Sequence, residues 1–320
     1  MIVPDTASII PTLPFKARSN PQWELAEEHA RAWLGHVYRH RTEEDKKRSE
    51  EAQVARLVGY LFPDAGLEDL VTLTAVGEVV LMYDDRAADG DSSLADVHAA
   101  AYRVQHVLET GHTTSTDDPD LIALAEVLQR IYPRQSESWR ARFRRNVWNL
   151  VFASAAEQQN REEGRIPGIR ECIAIRRETI GALTVLDLAE FAGHYELSDA
   201  LYNDPHIHQL RQCCCDIIGW TNDLGSYHRE DAAGEVNLLH ALQAENGTSL
   251  TAAFDAAKEM IETRISDFIE TERTLRDGEM YRTIRELDRA AVDAAVETMR
   301  HAIAGNRRWQ AEVSRYTTAQ

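Results

Sequence analysis

No apolar run in this 320-residue chain approaches the roughly 20 residues that a bilayer-spanning helix needs. A membrane is therefore not an expected partner. The first residues, MIVPDTASIIPTLPFKARSNP, carry Pro4, Pro11 and Pro14 and an early Asp5, and lack the basic start and apolar stretch of a secretory leader. Basic residues are also short: 35 Lys and Arg stand against 53 Asp and Glu, a net charge of −18. Such a surface repels nucleic acid, and an anionic substrate needs a site made locally positive against the global field. Cysteine is scarce. Cys172 and the run Cys213, Cys214, Cys215 form no CxxC pair and suit no ordinary disulfide framework. The expected compartment is the reducing cytoplasm, with the run as small packing residues in a buried helix. Alternating strand patterns are missing, as is any repeat that would make a solenoid.

What remains is helical. From Pro21 onward, apolar residues recur at helical spacing with capping and stop signals between them. The stretch LADVHAAAYRVQHVLETG stops at Gly111, and Asp118 with Pro119 reads as an N-cap followed by a first helical residue. TEEDKKRSEEAQVARLVGYLF and EMYRTIRELDRAAVDAAVETMRHAIAGNRRWQAEVSRY each read as a continuous segment. The expectation is an all-α chain of about a dozen helices. Residues 1–20 form a flexible N-terminal segment and 21–320 one domain.

Two oxygen-rich clusters stand out. In NDLGSYHRE, Asn222, Ser226 and Glu230 lie at i, i+4 and i+8, which stacks them on one helix face. An amide, a hydroxyl and a carboxylate are hard oxygen donors of the kind Mg²⁺ takes. Only Glu230 is anionic, so this row should hold a cation weakly until a phosphate completes the shell. The second cluster, Asp84, Asp85 and Asp89, ends the apolar helix VVLMY. Acid at a helix C-terminus opposes the macrodipole, and three close carboxylates repel unless cations lie among them. The natural guest between two such clusters is a polyphosphate bridged by several Mg²⁺. Arg176, Arg177, Arg229, Arg315 and Tyr316 are candidate donors to it.

With these residues the chain resembles the bacterial class I terpene synthases. DDRAAD matches the longer form of that family's aspartate-rich motif, and NDLGSYHRE its second metal motif, with Arg229 directly before Glu230. Arg176 stands 46 residues upstream of Asn222, the family's offset for its diphosphate-sensing arginine, and an Arg315–Tyr316 pair follows Trp309. The resemblance runs from about Pro21 to Tyr316. It implies a single-domain helical bundle around a central active-site cavity, and a Mg²⁺-dependent cyclase acting on an allylic prenyl diphosphate, C15 before C20, with three ions expected. Asp84, Asn222, Ser226 and Glu230 would ligate metal, with Asp89 at the variable end of its motif. Asp85 would pair with Arg315, and Arg176, Arg229, Arg315 and Tyr316 would hold the diphosphate. Thr179 and Ile180 would take the family's linker and effector positions beside Gly181, whose mid-helix placement costs about 1 kcal/mol against Ala. Tyr83, Phe152, Phe191, Trp220 and Trp309 are candidate cation-facing rings. Family members are often dimers, so a homodimer is expected. Two rivals are a chain-elongating prenyltransferase, which needs a second aspartate-rich motif in place of NDLGSYHRE, and a non-catalytic acidic helical scaffold.

Overall fold

The computed structural model of the chain describes residues 10–39, 42–88 and 93–313, with side chains at all of these except 84–88. Among the described residues there are fifteen α-helices and no strand. In chain order these are α1 (Trp23–Val37), α2 (Glu43–Ala52), α3 (Val54–Leu61), α4 (Leu67–Ala88), α5 (Leu94–Thr110), α6 (Pro119–Ile131), α7 (Glu137–Glu162), α8 (Ile169–Thr179), α9 (Ala182–Ala192), α10 (Asp199–Tyr202), α11 (Pro205–Ala233), α12 (Leu238–Asn246), α13 (Leu250–Asp277), α14 (Glu279–Thr283) and α15 (Glu286–Glu312).

The expected stops and starts are in place. Gly111 closes α5 in the left-handed conformation, and Asp118 accepts from the amides of Asp120 and Leu121 ahead of Pro119. Two joints differ from the sequence reading. Gln53, at φ 46°, separates α2 from α3. The segment before it is a solvated charged helix and the one after is apolar and buried, so one straight helix cannot serve both. Extended backbone at Ile284 likewise divides α14 from α15. Of the expected N-terminal segment 1–20, residues 1–9 lie outside the described residues and the remainder makes specific contacts. From Ile10 onward it is pinned: Phe15 meets Phe268 edge-on at 5.4 Å, and Asn20 donates to the carbonyls of Phe62 and Ala65 at 3.2 and 2.8 Å.

The axis of the bundle is α11. Asp204 caps its start with bonds from His206 N and Ile207 N, Pro205 takes the first helical place, and Gly234 ends it at φ 73°. Its buried side chains run from Ile207 to Glu230, packed chiefly against α13 and α15. Each fully buried Leu or Ile there contributes about 1.5–3 kcal/mol. Cys213, Cys214 and Cys215 are all buried in this seam, packing as the sequence reading expected. A charged network ties α7, α9 and α11 together: Arg142 pairs with Glu190 at 2.8 Å, and Arg211 and Asn146 both reach Asp187, at 3.0 and 2.6 Å. Such a network costs desolvation, and Arg142 Nε and Glu190 Oε1 stay buried without a hydrogen-bond partner, so it is no simple gain in stability.

Candidate active site

A cavity of about 930 Å³ opens among α2, α3, α4, α7, α8, α9, α11 and α15. That is within the size range of small-molecule sites, roughly 300–1,000 Å³. Its depth is apolar, with Leu57, Leu61, Leu73, Val76 and Leu188 among its walls. On α8 and α11 its polar lining includes Arg176, Asn222, Asp223, Arg229 and Glu230, and α2 and α7 add Glu44, Arg48, Glu51, Glu157 and Arg161.

On α11 the i, i+4, i+8 row is real and buried, with Asn222, Ser226 and Glu230 exposed by only 8, 2 and 8 %. The Ser226 hydroxyl donates to the carbonyl of Asn222 at 2.7 Å. Its proton is thus used within the helix, and its lone pairs remain for another partner. Among the described residues no three His, Cys, Asp or Glu side chains converge on a metal-sized site. The row instead offers one amide, one hydroxyl and one carboxylate oxygen, a donor set that fits a hard divalent cation sharing its shell with a ligand. Asp84 and Asp85 continue α4 directly after Tyr83, which lines the cavity; their side chains, and all of Asp89, Arg315 and Tyr316, lie outside what the structure describes.

The two adjacent arginines of α8 part company. Arg176 faces the cavity, donating from Nε to Asp223 and from Nη2 to Asn222 Oδ1, both at 2.7 Å. Arg177 turns the other way and forms a bidentate pair with the buried Asp216, at 2.6 and 2.8 Å, which Arg264 shares at 2.8 Å. Arg229 also lines the cavity, with Nη2 3.5 Å from Glu230 Oε1.

Two residues that the sequence reading did not single out hold this arrangement. Asp223 is buried. Burial, with Glu230 adding to it, pushes its carboxyl up to about 6, against the pull of Arg176. It also accepts from the Leu238 amide at 3.1 Å. Asn237 caps α12 and donates to Glu230 Oε2 at 2.9 Å. An Asn before an apolar run signals a cap in sequence; a bond to a carboxylate seven residues back has no such signal.

Of the hydrophobic candidates, Tyr83, Thr179, Ile180, Gly181 and Trp309 line the cavity. Gly181, at φ 72°, breaks α8 from α9 on the cavity wall. Trp309 is fixed by its indole N–H on the Ala52 carbonyl at 2.6 Å. Three candidates lie elsewhere. Phe152 is 46 % exposed on the outer face of α7, stacked with Trp148 and His98 at 5.5 and 5.7 Å. Phe191 is buried under the Arg134 guanidinium, 4.2 Å from its ring centre. Trp220 is buried with Arg264 5.8 Å from its ring, on the flank of α11 away from the cavity. Phe62, which follows α3, supplies a cavity ring that the sequence reading missed.

Comparison with known proteins agrees with this geometry. Residues 76–267 match the family model described as Terpene synthase family 2, C-terminal metal binding. The chain is 26% identical over 316 residues to pristinol synthase of Streptomyces pristinaespiralis, covering 95% of this chain and 83% of that one. It is 27% identical over 315 residues to a (−)-β-caryophyllene synthase, (2E,6E)-farnesyl diphosphate cyclizing, of Saccharothrix espanaensis, covering 95% and 88%. Among solved structures, a single-substitution variant of cucumene synthase superposes with a TM-score of 0.83 at 25% identity, covering 93% and 99%. α-Eudesmol synthase has the same fold, with a TM-score of 0.85 at 23% identity, covering 97% and 99%. No described helix is long and apolar enough to cross a membrane.

Proposed function

Because the chain belongs to terpene synthase family 2, we propose that it ionises farnesyl diphosphate, cyclises the resulting C15 cation and releases diphosphate, as a Mg²⁺-dependent class I terpene synthase of the bacterial type. The observation that carries this reading is a juxtaposition: the buried oxygen row of α11 stands against the cavity-facing Arg176 of α8, beside a cavity whose lining also holds Leu57, Leu61, Leu73, Val76 and Leu188.

The residues divide the work. Asn222, Ser226 and Glu230, with Asp84 and Asp89 of the aspartate-rich motif, form the set that holds metal, three ions being the number this reading assigns. Bound Mg²⁺ supplies Lewis-acid stabilisation of charge on the departing diphosphate. Arg176, Arg229, Arg315 and Tyr316 donate hydrogen bonds to that diphosphate, charge-assisted where the donor is a guanidinium. Asp85 pairs with Arg315. The apolar walls keep water from the allylic cation. The faces of Phe62, Tyr83 and Trp309 stabilise it, by about 2 kcal/mol or more for each desolvated ring. Thr179 and Ile180 at the Gly181 break present backbone to the hydrocarbon end. In this reading the enzyme works in the cytoplasm, as a homodimer.

Incubation with C10, C15 and C20 prenyl diphosphates and Mg²⁺, with products separated by gas chromatography–mass spectrometry, tests it. A cyclic C15 product, with turnover abolished by EDTA and restored by Mg²⁺, is expected. Diphosphate release in EDTA, or no product from any of the three, overturns it.

A further inference from the structure

We propose that Asn237 is a positioning residue for the metal-ligand carboxylate of Glu230, an inference that rests on the reading of Glu230 as a ligand given above. Asn237 is only 5 % exposed, and both ends of its amide are used. Its Nδ2 carries two hydrogens. One goes to Glu230 Oε2 at 2.9 Å, the other to the main-chain carbonyl of Asp223 at 3.1 Å. Its Oδ1 accepts from Leu239 N at 3.0 Å, which starts α12.

These bonds span the ligand row. Asp223 adjoins Asn222, the first ligand, and Glu230 is the last, so one side chain from beyond the Gly234 turn fixes the two ends relative to each other. Asn237 engages Oε2, while Oε1 of Glu230, itself a cavity-lining residue, has Arg229 Nη2 3.5 Å away. The donor is neutral. It fixes the carboxylate without cancelling the charge that a cation needs, which a Lys or Arg at 237 would do. The residue requirement is narrow, since the site asks for two N–H donors and one acceptor. Asp supplies no donor, and Ser supplies a single short one.

Asn237→Ser separates the two roles, because serine caps a helix nearly as well as asparagine and lacks the amide hydrogens. The probe is Mn²⁺ with inorganic diphosphate, the free ion being counted by electron paramagnetic resonance. N237S is expected to keep its helical circular dichroism and cooperative unfolding, with a lowered midpoint from the lost amide bonds, and to bind Mn²⁺ about tenfold more weakly or worse under conditions where it is fully folded, the scale on which ligand-orienting partners act. The Mg²⁺ concentration for half-maximal turnover should rise by a similar factor. Asn237→Thr, the other cap without amide hydrogens, repeats the test if N237S does not fold. Glu230→Gln is measured alongside. If E230Q loses Mn²⁺ and folded N237S binds it like the wild type, the role of Asn237 is overturned and the ligand role of Glu230 stands. If E230Q binds Mn²⁺ like the wild type, the assignment of Glu230 falls, and that of Asn237 with it.

Discussion

Arg176 gives an Nη2 hydrogen to the amide oxygen of Asn222, 2.7 Å away, so the guanidinium assigned to the diphosphate rests on an atom assigned to the metal. Its Nε is held equally closely by Asp223. In the proposed reaction the two roles are thus coupled: an Arg176 engaged on the diphosphate would leave Asn222 Oδ1 to the cation.

Asn222→Leu keeps approximate shape and removes both the ligand oxygen and the acceptor for Arg176. Turnover should fall at least about a hundredfold, the scale of losing one stabilising contact to developing charge. Arg176 retains Asp223, so the fold should survive. Steady-state kinetics and far-ultraviolet circular dichroism decide it, and wild-type turnover in a folded variant would show that the row plays no part.

Gly181→Ala tests the break between α8 and α9. An added Cβ would meet only Leu150 Cδ1, at 3.6 Å, so the cost is backbone strain at φ 72° rather than a clash. Stability should drop by about 1–2 kcal/mol in urea unfolding. The product mixture should also change, because the strained segment carries Thr179 and Ile180 on the cavity wall. An unchanged product profile in the destabilised variant would remove the break from the chemistry.

All four thiols should resist alkylation in the native protein at pH 8. Burial pushes Cys172 and Cys215 up to about 12 and Cys213 up to about 11, and drives Cys214 well above an ordinary thiol. The nucleophile is the thiolate, which at pH 8 is about one part in ten thousand for a pKa of 12. Reactivity therefore rises with pH and appears in full only on unfolding. A colorimetric thiol count with and without denaturant checks it; rapid labelling of Cys172 in the folded protein would contradict the burial.

Closure should follow ligand binding. Amide hydrogen exchange with and without Mg²⁺ and diphosphate should show protection rising around 229–237 and 310–318, where Arg229, the Gly234 turn and the Arg315–Tyr316 pair lie. Unchanged exchange there, under conditions where diphosphate binds, would separate the metal chemistry from any lid.

The helical class and the oxygen row were legible because both rest on local spacing. Gly111 and Asp118 mark their helix ends through side-chain chemistry that acts within a few residues. Gln53 gives no such mark, being neither Gly nor Asn, and its left-handed turn is imposed by the packing of α3. Phe152, Phe191 and Trp220 were misplaced for a related reason. That a residue is aromatic says nothing of the phase in which its helix meets the bundle. Phe62 faces the cavity through the position of α3, and Asp223 and Asn237 serve the site through contacts between separate helices, which one-dimensional spacing does not carry.

The far wall of the chamber is made by parts of the chain that are made far apart in time. Trp309 bonds to Ala52, 257 residues earlier, and Gly305 lies so close to α3 that a Cβ there would stand 2.7 Å from Tyr60 Cβ and 3.0 Å from its carbonyl oxygen. At about 5–20 residues per second, Ala52 waits roughly 13–50 s on the ribosome for its partner. During synthesis, the face of α3 that packs on α15 has nothing to cover it. A nascent chain halted before Trp309 therefore exposes an apolar trough, and chaperone demand should peak over that last stretch of translation.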